Sequence, residues 1–151
     1  AAAAVLGYRL ISHEADTLDI QVSDENNRKI FDAVETHGID TIFTHWHGDT
    51  HPPHRRVNDM VLHVARRIPR VFGFAVNWYI GAQTFSPRMF VQVEERHWAK
   101  KLKALRCYKS EYRRAGKLWR GYTQRQSLNF ATELGVPRVE GFMVYKHLWD
   151  V

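Results

Sequence analysis

Residues 44–56 read Thr-His-Trp-His-Gly-Asp-Thr-His-Pro-Pro-His-Arg-Arg. Four histidines, His45, His47, His51 and His54, share this short stretch with Asp49. Imidazole nitrogens bind transition metals and exchange protons near neutral pH, and a carboxylate can do both. A polar surface loop accounts for one or two such histidines. It does not account for this density at the end of an apolar run, where metal ligands and acid–base groups are commonly presented.

Flanking elements must hold these side chains in place. Residues 39–44 form an apolar run that predicts a short strand, internal to a sheet that is parallel at its centre. Residues 54–68 carry Val57, Val61, Val64 and Ile68 at helical spacing, and Pro69 closes that helix. Upstream, Ser23 or Asp24 caps a helix that runs to His37, with Ile30, Phe31 and Val34 on one face and Gly38 as its stop. Residues 1–6 read as the last turns of a helix capped by Gly7, and residues 8–11 as a short strand. Such a brief helix does not stand alone, so sequence upstream is expected. Downstream, strands are predicted at 70–76, at 87–93 on an edge, and at 138–145. Helices are predicted at 94–116 and 122–134. Between them, residues 77–86 form a loop with Trp78, Tyr79 and Phe85, aromatics able to stack on sugar rings. Alternating strands and helices predict an α/β fold with parallel strands.

With 151 residues the chain is expected to form one domain with a real core. No stretch is apolar enough to span a bilayer and no signal peptide is visible, which gives a cytoplasmic expectation. Cys107 is the one cysteine, so an internal disulfide and a multi-cysteine metal site are excluded. The net charge is +6, from 22 basic and 16 acidic residues. The basic run Lys100-Lys101-Leu102-Lys103-Ala104-Leu105-Arg106, continued by Arg113 and Arg114, reads as a solvated helix face. No nucleic-acid module is present, and no nucleic-acid partner is expected.

Two hydrolase families carry pieces of this sequence. Residues 44–49 resemble the T-H-x-H-x-D-H signature of metallo-β-lactamases, whose two histidines bind one metal while the adjacent Asp and His bind another. Here Thr50 separates Asp49 from His51, and the glycine-rich turn usual after that motif is absent. The second resemblance runs along most of the chain. Asp49-Thr50-His51-Pro52-Pro53-His54-Arg55 resembles the D-x-H-P-D-H-R segment of the PIG-L/LmbE-like de-N-acetylases. Residues 85–91, Phe-Ser-Pro-Arg-Met-Phe-Val, resemble their f-x-P-x-x-f-V strand. Residues 101–111 resemble their K-x-x-A-L-x-x-H/Y-x-S-Q helix, and Val139-Glu140-Gly141-Phe142 resembles their terminal A-E-x-F.

The second resemblance implies a Rossmann-like three-layer α/β/α fold with a mostly parallel sheet. It also implies zinc-dependent removal of acetyl from an N-acetylglucosamine conjugate. Carried over by motif, His54 is the zinc ligand and His51 faces the oxyanion. Asp49 joins them in the site, His45 and His47 line it, and Glu140 is structural or part of the pocket wall. Two departures matter. The family's H-P-D-D-E motif, with two zinc ligands and the general base, is not in this sequence, so the N-terminal strand or strands are expected to be missing. Pro53 replaces an Asp that can orient His51, so His51 is expected to be loosely held unless Asp49 substitutes. The chain alone is therefore expected to bind zinc weakly or not at all. The unpaired sheet edge makes a homo-oligomer an expectation. The alternatives are a metallo-β-lactamase-like hydrolase using His45, His47, Asp49 and His51, and a non-catalytic remnant that binds glycan or a partner.

Overall fold

A computed structural model describes residues 1–13, 19–76 and 83–148 of the chain. Its hydrogen-bonded elements run α1 (Ala2–Leu6), α2 (Asp24–His37), β1 (Thr41–His45), α3 (Pro52–Val64), a 3-10 turn (Ala65–Arg67), β2 (Arg70–Phe74), β3 (Met89–Gln92), α4 (Glu95–Leu105), α5 (Lys109–Leu134) and β4 (Val139–His147). The strands form a four-stranded sheet in the order β1-β2-β4-β3. β1 and β2 are parallel, and β2 and β4 are antiparallel, with a register shift between Val71 and Phe72. This is an α/β fold of the three-layer, Rossmann-like class with a mixed sheet. Its residues cluster into two compact units, the described residues of 1–14 with 90–141, and those of 15–89 with 142–151.

The second unit carries the histidines. Ser23 Oγ accepts the Asn26 N–H and starts α2, and Asp24 and Glu25 in the first turn complement the helix dipole. Gly38 ends α2 in the left-handed conformation (φ 59°), as its position after the last apolar residue predicts. Val34 of α2 packs with Val61, Ala65, Ile68 and Val71, and Ile30, Ile42, Val57 and Tyr145 close round them. Successive β1 residues face opposite ways. Ile42 joins that core, while Phe43 meets Phe72 and Phe142, with ring centroids 5.3 and 5.0 Å away. Arg70 ties the start of β2 to β1 by donating to Thr41 Oγ1 and pairing with Asp40.

In the first unit, Gly7 caps α1 in the left-handed conformation. Trp98 of α4 is 2% exposed and lies beneath the Arg138 guanidinium, 4.4 Å from the ring centroid. Phe90 meets Phe130 edge-on.

Several boundaries differ from expectation. β1 is an edge strand of the described sheet, not an internal one, and the central pair β2–β4 is antiparallel where a parallel centre was expected; Phe43 is half-exposed. An apolar run reports burial of its faces, not pairing on both edges. Residues 8–11 form no strand, and Leu10 and Ile11 are exposed. α3 begins at Pro52 because prolines at the first two helical positions lack only N–H groups that would be unpaired there. The long helical stretch breaks at 106–108 as well as at Gly116. Within α5, Gly116 takes φ 54° and ψ −131° and kinks the helix. Trp78 and Tyr79 lie outside the described residues.

The core on α3 gives a measurable contrast. Ile68, 6% exposed, sits against Val71, whereas Leu62 is 37% exposed. Ile68→Ala is expected to cost about 2–5 kcal/mol of unfolding free energy. Leu62→Ala is expected to stay within about 0.5 kcal/mol. Denaturant titration of both variants checks this; equal losses would mean that the core is misplaced.

Candidate metal centre

The β1–β2 ladder ends where the Trp46 N–H donates to Phe74 O at 2.9 Å. The chain then turns, and the Asp49 N–H donates back to Trp46 O at 3.2 Å. Gly48 is required in this turn by space: a Cβ there would lie 2.4 Å from the Trp46 indole. The indole is itself buried and meets Phe85 edge-on.

Behind the turn the Asp49 side chain is 1% exposed. Its Oδ1 accepts the His51 N–H at 2.8 Å, and its Oδ2 lies 3.0 Å from His54 Nδ1. Its carbonyl oxygen accepts from Arg55 Nη1 at 2.7 Å. His51 is the N-cap of α3, and Pro52 and Pro53 fill its first two positions, so His54 sits in the first helical turn. A carboxylate at a helix N-terminus is favoured by the dipole. In the tautomer that donates Nδ1–H to Asp49, Nε2 is the His54 nitrogen left for a ligand, the arrangement found behind many metal-bound histidines.

His45, the last residue of β1, stacks its ring flat on His54, with centroids 3.8 Å apart and planes at 4°. The His51 ring is 4.6 Å from that of His54. Burial, reinforced by repulsion from His54 and His51 and opposed by Asp49, pushes the His45 pKa down from 6.5 to about 4. His45 is therefore neutral at neutral pH, the form that binds metals. One ligand atom each from His45, Asp49 and His54 falls within 4.8 Å of the others, so the three could hold a metal ion.

Unsatisfied polar atoms support that fit. Among the described residues, seven buried side-chain polar atoms lack a hydrogen-bond partner. Five belong to Thr44, His45, Trp46, His51 and Asn58, around this one place. Leaving such an atom unpaired costs roughly 1–3 kcal/mol. Coordination to a metal removes that cost for an imidazole nitrogen. His45 and His54 supply two of the three protein ligands that a catalytic zinc normally takes, and Asp49 would be the third only by exchanging its bond to His54 for the metal.

The other residues singled out in the sequence fall elsewhere. His47 is exposed, with Nδ1 3.1 Å from the Tyr145 hydroxyl, and is not part of the three-residue group. Glu140 belongs to the other unit and pairs with Lys101 at 2.6 Å. His51 is close, but its Nδ1 is buried without a partner among the described residues, and Asp49 bonds its backbone N–H. Asn58 and Tyr145 went unnoticed in the sequence. Asn58 is 0% exposed and donates to His45 O and to the Tyr145 hydroxyl. A polar residue on the apolar face of α3 is the one local signal that could have revealed it. Tyr145 comes from the far end of the chain and gives none.

No protein-family model matches the sequence, and no curated protein sequence does. Solved structures do resemble the chain. A conserved protein from Thermus thermophilus matches 99% of this chain and 72% of its own, at TM-score 0.79 and 18% identity. An N,N'-diacetylchitobiose deacetylase from Pyrococcus horikoshii, solved with an inhibitor, matches 95% of this chain at TM-score 0.70 and 18% identity. The chain spans 60% of that deacetylase. The 4-carboxy-2-hydroxymuconate hydratase GalB from Pseudomonas putida matches 99% of this chain and 70% of its own, at TM-score 0.77 and 14% identity. At these identities the likeness establishes the fold. No described helix is long and apolar enough to cross a membrane.

The lowered His45 pKa has a pH signature. Below about pH 6.5 the unfolded chain takes up a proton that folded His45 resists until about pH 4. Stability contributed by neutral His45 is therefore present above pH 6.5 and is lost as pH falls toward 4. In chelator-treated protein, His45→Asn is expected to flatten this part of the stability profile. Urea unfolding at several pH values measures it; an unchanged slope would remove His45 as its source.

Proposed function

We propose that this chain is the histidine-bearing portion of a PIG-L/LmbE-like, zinc-dependent de-N-acetylase domain. Its substrate would be a small molecule or glycoconjugate bearing N-acetylglucosamine. The observation that carries this reading is the meeting of Asp49, His51 and His54 at the start of α3, in a fold shared with a sugar deacetylase. The D-x-H-P-x-H-R spacing is thereby matched by a physical cluster.

In this reading His45 and His54 would hold zinc, and Asp49 would fix the His54 ring through its Nδ1. Zinc, when bound, polarises the amide carbonyl and lowers the pKa of a water. His51, whose ring lies beside that of His54, would donate to the oxyanion as it develops. Pro53 is buried at the second position of α3 and offers His51 no acceptor, and Asp49 is engaged with the His51 backbone and the His54 ring. The resemblance assigns the general base to the H-P-D-D-E motif, which this sequence does not contain.

The metallo-β-lactamase-like reading needs His45 and His47 on one metal. Against it, His47 is exposed and anchored to Tyr145.

Zinc titration is the first test. One weakly held ion per chain is expected, since the ligands of the H-P-D-D-E motif are not in this sequence, with affinity falling about 10-fold or more in His54→Ala, because a first-coordination ligand should cost at least what an outer partner does. The zinc-loaded chain is then expected to bind N,N'-diacetylchitobiose by calorimetry, and the zinc-free chain is not. Release of free amine is expected to be slow at best without the general base. A zinc-loaded chain that ignores N-acetylated sugars, or that hydrolyses a β-lactam, would sink the proposal.

A further inference from the structure

The β1–β2 ladder ends at Trp46, yet the site needs the chain held beyond it. Two side chains from distant parts of the sequence take over. Asn58 of α3 donates its Nδ2 to His45 O at 2.7 Å and to the Tyr145 hydroxyl at 3.1 Å. Tyr145 of β4 accepts the His47 N–H at 2.9 Å. Its hydroxyl lies 3.1 Å from His47 Nδ1, the one of these three partners that can accept the phenol proton. One phenol thus engages the backbone and the ring of His47, and one amide engages the backbone of His45. Gly73 of β2 makes room for the phenol: a Cβ there would lie 2.7 Å from Tyr145 Cε2. Burial raises the Tyr145 pKa, which keeps it a neutral donor.

We propose that Tyr145 and Asn58 are positioning residues for the metal-binding group. They fix the path of residues 45–47 and thereby set where the His45 ring stands relative to His54 and Asp49. The inference rests on the metal reading above. A polar network that merely stabilises the core would use the same bonds, so the test must separate affinity from stability.

Tyr145→Phe keeps the ring that fills the space over Gly73 and removes the hydroxyl alone. Ile68→Val trims the core that Tyr145 packs against but leaves every hydrogen-bonding group of the network in place, and serves as the stability control. For the whole chain and both variants, zinc affinity is measured by competition with a chromophoric chelator, and the visible spectrum of bound Co2+ reports ligand geometry. Tyr145→Phe is expected to weaken zinc by about 10- to 100-fold, the usual cost of losing an outer partner of a metal site, and to shift the Co2+ spectrum. Ile68→Val is expected to lower the melting temperature and leave affinity and spectrum unchanged. Parental affinity and spectrum in Tyr145→Phe would overturn the inference while leaving the metal reading intact. Equal weakening in Ile68→Val would reduce the network to a stability role and overturn it as well. A parent chain that takes up neither ion would overturn the metal reading, and the inference with it.

Discussion

A buried carboxylate is the constraint on which the site depends. Removing Asp49 from water is costly unless its oxygens are bonded. The chain meets that cost locally, with the His51 N–H on one oxygen and the His54 ring on the other. These bonds bend the chain from the end of β1 into the start of α3 and bring residues 45, 49, 51 and 54 together. The two prolines stiffen the same bend. Neither has an N–H to satisfy, so the helix begins at once and His54 is carried on a rigid turn instead of a loose loop. Once Asp49 and His54 are paired, the His45 ring stacks on His54, and the crowding of imidazoles away from water keeps His45 neutral.

That local bend would be poorly anchored without β4. Tyr145 reaches across β2 at the one position, Gly73, where no side chain blocks it. Its hydroxyl joins His47 to Asn58, which is wholly buried in α3. The site therefore draws on β1, its following turn, α3 and β4. Loss of register between β2 and β4 would be felt at the histidines, because the pairing places Gly73 beside Met143, two residues from Tyr145.

Features written into neighbouring residues could be read from the sequence. Ser23 and Gly38 mark the ends of α2, and the apolar spacing of Val57 and Val61 marks the inner face of α3, with Ile68 beyond its end in the same core. The density of histidines marked the stretch in which His45, Asp49 and His54 come together. Pairing across the sheet could not be read this way. β1 is as apolar as an internal strand, since α3 and β2 cover much of it, yet the described sheet ends there. The break at 106–108, between α4 and α5, carries no proline and no glycine to announce it. His45 looked like site lining because the family motif begins at Asp49. Its part in the three-residue group depends on ring stacking, which spacing does not encode.

Two hydrolase motifs overlap in residues 44–54, and the start of α3 separates them. In an H-x-H-x-D pattern, the first two histidines must turn their rings to one metal from alternate residues of an extended end. Here the first of them closes β1 and the second lies in the turn, where Tyr145 holds its backbone and ring. In the D-x-H-P-x-H pattern the histidines are three apart across a helix N-terminus. That spacing puts them on one face of the helix, one above the other. Because α3 begins at Pro52, His51 and His54 obey it, and Asp49 reaches both. The same residue letters would suit either chemistry if the chain stayed extended to residue 54. Two prolines at the head of an apolar helix decide the geometry, and with it which constellation can form.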